Sequence, residues 1–298
     1  MFAVIGIVIL FACLLIGYTM HGGKIAALMQ VNEFIIIGGA ALGSVVVGYG
    51  MKGAIGLVKS SLGLLKGNPY KKQTFLDLLR AMYDVFVTAR KDGLLALEKH
   101  VEKPSESDLF KKHPAILGHR HALDFMTDTL KVVIMGGVNF QDLSELMDLD
   151  LESQHEEGMK MPGILSSVGD SMPGFGIVAA VLGVVITMQA IGGPPEEIGE
   201  KVGAALVGTF LGVLLAYGVF APLAKATEQI AKCESQYLSS MKQALVAFAR
   251  GDTPVMCVEF ARRSIEPDLR PTFKDLEDAC RSKGGAKAEA GAPEAAAA

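Results

Sequence analysis

The chain has 298 residues, of which half are hydrophobic and only 20% charged, and its formal net charge is −4. That balance excludes a nucleic-acid-binding protein, which presents a basic domain or stripe. The charges also avoid four apolar blocks, the pattern of a polytopic membrane protein rather than a soluble globule.

A membrane span needs about 20 mostly apolar residues. The first block runs from Met1 to Met20. No Lys or Arg precedes it, so it reads as an uncleaved span and not a signal peptide. The second runs from Phe34 to Met51, between Glu33 and Lys52. The third runs from Ser171 to Pro195 and the fourth from Val202 to Ala224. There is no Trp, so an interfacial aromatic belt falls to residues such as Tyr18, Tyr49 and Tyr217. All but two of the 28 Lys and Arg lie in 51–168 and 223–298; the exceptions are Lys24 and Lys201. Basic loops stay inside. The middle segment, the tail and both termini are therefore expected in the cytoplasm, with the short loops 21–33 and 192–201 outside.

The spans are rich in glycine. Gly39 with Gly43, and Gly208 with Gly212, form GxxxG pairs that let helix backbones approach in lipid. The pattern fits packing within one subunit and packing between subunits equally well.

The segment 58–168 is too long for a loop and reads as helical. Phe75, Leu78, Leu79, Met82, Tyr83, Phe86 and Val87 recur at helical spacing. A second helix, LLALEKHVEK, should end at Pro104, and Ser105 with Asp108 reads as a capping box opening a third over SESDLFKK. Amphipathic stretches follow in HALDFMTDTLKVVIMGG and FQDLSELMDLDLESQHEE. After the fourth span, TEQIAKCESQYLSSMKQALVAFARG should continue the span into the cytoplasm, and PVMCVEFARRSI forms a shorter helix. The fold class is thus all-α, with four transmembrane helices and a helical cytoplasmic domain. The expected divisions are 1–57 (spans 1 and 2), 58–168 (cytoplasmic domain), 169–224 (spans 3 and 4), 225–283 (C-terminal helices) and a disordered, low-complexity tail over 284–298.

Enzyme chemistry finds no foothold. There is no nucleophile motif, phosphate loop or metal cluster, and no cofactor is implied. His119 and His121 point apart on a helix and read as a solvated surface. Cys13, Cys233, Cys257 and Cys280 lack metal or redox spacing and read as reduced thiols.

The informative stretch opens the third span, VGDSMPGFGIVAAVLGVV. Asp170 sits at the edge of the apolar block, where a carboxylate is functional, a helix cap, or both. Pro173 follows it, and Pro222 stands at the cytoplasmic end of the fourth span. A helical proline frees the carbonyl four residues back, here Gly169 and Gly218. Two such points at one depth suggest either a flexing layer or ordinary helix ends. No ionisable residue lies mid-span, so a proton path would need a carboxylate from another chain.

VGDSMPGFGIVAAVLGVV, ALVGTFLGVLLAYGVFAPLA, DLLRAMYDVFVTARKDGLLALEKHVEKP and VEFARRSIEPDLRPTF together resemble the MotA family of flagellar motor stator subunits, up to about residue 280. The resemblance implies an inner-membrane ring, thought to hold five copies, around the helices of two MotB chains. An Asp of MotB would bind and release the proton, and the ring would drive the rotor protein FliG. By the same resemblance Arg90 and Glu98 match the charges that engage FliG; their spacing of eight is about two helical turns, so both can face one way. Pro173 and Pro222 match the prolines that couple protonation to shape change. Asp170 matches the acidic residue beside the first proline, and Thr209 the fourth-span Thr on the ion route. Sodium-driven relatives carry a Thr where this chain has Ala180, which offers no oxygen ligand and so favours protons. The alternative is an energising subunit of the ExbB or TolQ type, which resembles a three-span protein with its N-terminus outside.

Overall fold

The structure, a computed structural model, describes residues 2–64, 67–189 and 191–281. The tail expected over 284–298 lies outside them. Among the described residues the chain is helical, without strands. It divides into two compact units, one made of Met1–Pro69 with Ser153–Cys233, the other of residues 70–152 with the chain from 234 onward.

The first unit holds the apolar helices: α1 (Phe2–Met20), α2 (Ile25–Leu28), α3 (Val31–Gly63), most of α8 (Phe140–Gln189), α9 (Pro195–Leu215) and the start of α10 (Ala221–Ala249). Three helical stretches are long and apolar enough to cross a membrane: Ile25–Gly63, Phe140–Gln189 and Pro195–Ala249. The first block forms a shorter apolar helix, α1. Much of this apolar surface finds no partner inside the chain: Ile9, Val47, Val181 and Ile186 are all exposed. Lipid can solvate such faces; water cannot do so cheaply. The inward faces meet in one cluster that includes Ile37, Val45, Leu165, Met172, Ala179 and Leu211.

α3 is not straight. Gly50 takes φ 69°, outside helical geometry, and bends the path between two helical stretches. Only glycine enters that region without strain. Below the bend, Gly53 packs against Ile164, and the Tyr49 hydroxyl lies 3.0 Å from the Ser167 hydroxyl.

α8 corrects one expectation. No helix begins near Ser171. A single 50-residue helix runs from Phe140 to Gln189 with Pro162 and Pro173 inside it. The amphipathic FQDLSELMDLDLESQHEE and the third span are therefore one element. The fourth span likewise runs on through a π-helical segment, Ala216–Phe220, into α10, as its composition suggested.

The second unit is built around α4 (Lys72–Asp92), α7 (Arg120–Met135), α11 (Pro254–Ser264) and α12 (Phe273–Arg281), with the later part of α10. The α4 stripe behaves as its period dictates: Phe75, Leu78, Leu79, Met82 and Phe86 are fully buried, while Tyr83 and Val87 stand at its margin. Phe86 stacks on Phe248 at 4.5 Å between ring centres, and Phe75 meets Tyr237 edge-on at 5.5 Å. A salt bridge of 2.7 Å from Lys72 to Asp275 joins α4 to α12.

Between α4 and α7 the chain is more broken than its sequence suggested. LLALEKHVEK splits into a 3₁₀ turn, Leu94–Leu97, and α5 (Glu98–Glu102). SESDLFKK forms no α-helix; only Phe110–Lys112 is 3₁₀, before α6 (Pro114–Leu117). Ser107, rather than Ser105, does the capping: its hydroxyl accepts hydrogen bonds from the Leu109 and Phe110 N–H groups. His119 is not a solvated surface residue. Its ring lies 5.3 Å from Tyr70 and 5.6 Å from Tyr237, and His121 Nδ1 lies 3.0 Å from Glu234 Oε1.

The four cysteines are free. Burial, helped by the charge of Asp252, pushes the Cys257 thiol up to about 11, and burial with Asp84 does the same for Cys280. Both stay protonated, unreactive thiols near neutral pH.

Burial holds His119 below its ordinary value of 6.5, against a smaller opposing pull from Glu234, and burial also lowers His100. A histidine with a depressed folded value binds more protons unfolded than folded. Its contribution is complete above about 6.5 and is lost as the pH falls through the lower folded value. The melting temperature of the chain should therefore drop between pH 7 and 5, and His119→Phe should flatten that slope; an unchanged slope would remove His119 from the account.

Candidate functional site

The first unit is organised by a seam where α8 and α9 touch backbone to backbone. A Cβ added at Gly176 would stand 2.8 Å from the Gly208 carbonyl oxygen and 3.0 Å from the Gly212 Cα. One added at Gly212 would stand 2.7 Å from the Met172 carbonyl oxygen. One added at Gly183 would meet Ala205 Cβ at 2.7 Å. No side chain fits at these points, so Gly208 and Gly212 pack within one chain. Gly39 and Gly43, by contrast, face open space. Gly176, in the GFG of the third span, is thus a packing residue that spacing alone did not single out.

The two prolines frame one end of this seam. Pro173 lies inside α8, half-buried, and cannot donate to the Gly169 carbonyl. Gly169 itself lies against the other loosened turn: a Cβ there would be 3.3 Å from Phe220 Cβ, 3.6 Å from the Ala221 nitrogen and 3.7 Å from the Ala216 carbonyl oxygen. Pro222 is exposed, one residue into α10, directly after the π-helical segment. Gly218, whose carbonyl Pro222 leaves without its usual donor, sits within that segment under Leu10 of α1, 2.9 Å from a built Cβ. π-helical segments of this kind accompany functional sites. The two weakened turns expected separately from the sequence are thus packed against each other.

Asp170 is exposed and deep in the interior of α8. It caps no helix, which removes the cap from the two readings its position allowed. Ala180 and Thr209 are both half-buried. Each follows a residue of the seam, since a Cβ at Gly208 would stand 3.1 Å from Ala179 Cβ. They therefore flank the helix contact at one level without filling it.

One residue of this region escaped the sequence. Glu33, in the first turn of α3, is 94% buried by its 6% exposure, and its Oε2 has no hydrogen-bond partner. That oxygen lies 2.5 Å from where a Gly208 Cβ would be. Glu33 looked like the flank of a span. Its signal was the largely apolar IAALMQV stretch that ends one residue before it, which sets the acid between two apolar runs with Asn32 beside it.

Arg90 and Glu98 belong to the second unit, and both are exposed. They do not share a helix. α4 ends at Asp92, Gly93 takes φ 86°, and Glu98 opens α5 beyond the 3₁₀ turn. The two-turn spacing is broken by the glycine. Arg90 Nη1 donates to the Asp252 carbonyl at 3.2 Å, which fixes its side chain at the base of α11. Lys91, Lys112 and Arg281 line the same open cleft as Arg90. Among the described residues no group of three or more metal-ligating side chains occurs.

If the seam holds the first unit together, Gly176→Ala should force the two backbones apart and cost about 1–3 kcal/mol. Gly199→Ala, with nothing within 4 Å of its Cβ, is the control. A thermal scan in detergent should show a lower melting temperature for the first only; equal stability would mean the seam yields freely.

Residues 4–93 match the Motility protein A N-terminal family, and residues 119–240 match the MotA/TolQ/ExbB proton channel family. Motility protein A of Salmonella typhimurium is 36% identical over 282 residues, covering 95% of this chain and 96% of that one. Motility protein A of Escherichia coli is 37% identical with the same coverage, and the chemotaxis protein LafT of Vibrio parahaemolyticus is 32% identical over 92% of this chain and 96% of its own length. Two solved structures share the fold. MotAB of C. jejuni aligns with a TM-score of 0.74 at 19% identity, covering 91% of this chain and 98% of that one. The flagellar MotAB stator complex of Bacillus subtilis aligns with a TM-score of 0.67 at 21% identity, covering 86% and 92%. With relatives of this identity over nearly its whole length, and with the glycine seam and paired prolines in place, the chain belongs to the MotA family of flagellar stator subunits.

Proposed function

We propose that this chain forms, with MotB, an inner-membrane stator that converts proton flow into torque on FliG. The observation that carries the mechanism is the contact between the two proline-weakened turns, Gly169 against Ala216–Ala221. A carboxyl of MotB that gains and loses charge beside such a place has a soft element to act on. Pro173 and Pro222 remove hydrogen bonds that would otherwise stiffen both helices, so the cost of bending there is low. Asp170, exposed beside Pro173, adds a carboxyl group on the same turn of α8.

The assembly reading is five copies around two MotB helices, which fits the open apolar faces and the unoccupied Gly39 and Gly43 surface of α3. Four crossings are proposed, α1 being the first, with both termini, 58–168 and 225–283 in the cytoplasm, since nearly all Lys and Arg lie there. The match of residues 4–93 to the Motility protein A N-terminal family supports this reading over an ExbB or TolQ subunit. Arg90 and Glu98 are proposed to meet charges on FliG. Their places on two different elements make them separate contacts rather than one stripe.

Ala180 and Thr209 flank the proposed ion route. A dehydrated sodium ion wants several oxygen ligands, and the methyl group of Ala180 supplies none. Co-expressed with its MotB partner in a host lacking its own stators, the chain should drive swimming at a speed unchanged when sodium is replaced by potassium at constant pH. A steep sodium dependence would overturn the proton assignment, and no motility with well-assembled complexes would overturn the stator reading.

Reversing charge at the rotor-facing residues gives a second test. Arg90→Glu and Glu98→Lys should each reduce torque while leaving membrane insertion and co-purification with MotB intact. Arg90→Glu also breaks the bond to the Asp252 carbonyl, so Arg90→Lys, which keeps the charge, separates the roles. If Arg90→Lys is as damaging as the reversal, Arg90 is a structural tie to α11.

A further inference from the structure

Glu33 is the one buried acid among the described residues of the first unit. Its Oε2 is sealed from solvent and unpartnered, and it is lodged where three helices converge. On one side is the bare backbone of Gly208 in α9, with Ala179 of α8 beside it. The slot exists only because residue 208 has no side chain. The packed elements bring no compensating charge to it. α8 from Ser171 to Gln189 carries no ionisable group. In α9, Lys201 is paired with Glu197 at 2.8 Å, and Glu196 and Glu200 share the carboxylate's own sign. His21 and Lys24, ahead of α2, are exposed.

An acid oxygen kept without a cation or a hydrogen-bond donor in an apolar helix contact is costly to retain. A carboxyl at the membrane edge is functional by default, and the species that suits a lone carboxyl oxygen facing bare backbone and a methyl group is the smallest cation. Thr209, next to Gly208 in sequence, flanks the ion route proposed above. We propose that Glu33 is a proton-binding carboxyl of this chain, a relay on the outer stretch of the path that the carboxyl of MotB completes.

This inference rests on the stator reading above. The step is a simple exchange. The carboxylate takes a proton from hydronium on the outer side, one O–H bond forms on a carboxyl oxygen, and water is left. The proton then passes through water to the carboxylate of MotB, and Glu33 regains its charge. No electrons move, and no other bond changes.

The test uses the full complex with MotB in cells and in proteoliposomes. Glu33→Gln keeps size and polarity but cannot exchange a proton. Proton flux and torque should fall by about tenfold or more, with MotB still co-purifying. Glu33→Asp should recover part of the loss. Gly208→Ala should displace the carboxyl and mimic Glu33→Gln, and the double variant should be no worse than either single, because both act on one group. Wild-type flux in Glu33→Gln, or equal losses in Glu33→Gln and Glu33→Asp, would overturn the proposal. Should Glu33→Gln fail to assemble, the wild-type complex decides. Infrared difference spectra between acidic and alkaline buffer should show a buried carboxyl band that Gly208→Ala shifts, and a band unmoved by that change would overturn it. The stator reading fails separately, if the wild-type complex itself carries no proton flux.

Discussion

Helices in lipid gain nothing from hiding apolar surface from one another, because the lipid tails are as apolar as leucine. What holds α8 to α9 must therefore be close contact, and this chain reaches it by removing side chains. Gly176 against Gly208 and Gly212, with Gly183 against Ala205, brings the two backbones within van der Waals range. Other features of the first unit follow from that seam. It brings Gly169 onto the π-helical segment, so the two proline-weakened turns share one contact. It also leaves the bare slot at Gly208 into which Glu33 fits.

The second unit obeys the opposite solvent rule. There, water drives apolar faces together, and α4 buries large side chains on one stripe while Arg90 stays outside. Aromatic contacts between α4 and α10, Phe86 with Phe248 and Phe75 with Tyr237, give this core its fixed geometry. The exposed charges proposed to meet the rotor are thus carried on rigid elements. One of them, Arg90, is held by a backbone carbonyl as well.

What could be read from the sequence followed from strong periodic or compositional signals. The apolar blocks, the α4 stripe and the run of the fourth span into α10 are of this kind, as were Pro173, Pro222 and the Gly208–Gly212 pair. What was hidden depended on contacts between distant residues. Asp170 looked like a cap because an apolar run starts there and Pro162, Gly163 and Gly169 before it are poor helix formers, but packing overrides that propensity and α8 simply continues. Arg90 and Glu98 looked like two turns of one helix, and the positive φ of Gly93 separates them. Ser105 looked like the cap, but the hydroxyl that caps is that of Ser107, which also lies 2.8 Å from the His100 ring, a contact seven residues away in sequence. Glu33 was hidden because its burial is made by a glycine 175 positions later, Gly208.

The π-helical segment has a geometric consequence for the fourth span. Each π turn contains one residue more than an α turn can hold, and one α-helical residue corresponds to about 100° of rotation. From Ala221 onward the stripes of the helix are therefore out of phase with those before Ala216. One continuous helical element thereby presents differently oriented faces above and below a single segment, without a loop and without ending its hydrogen-bonded ladder.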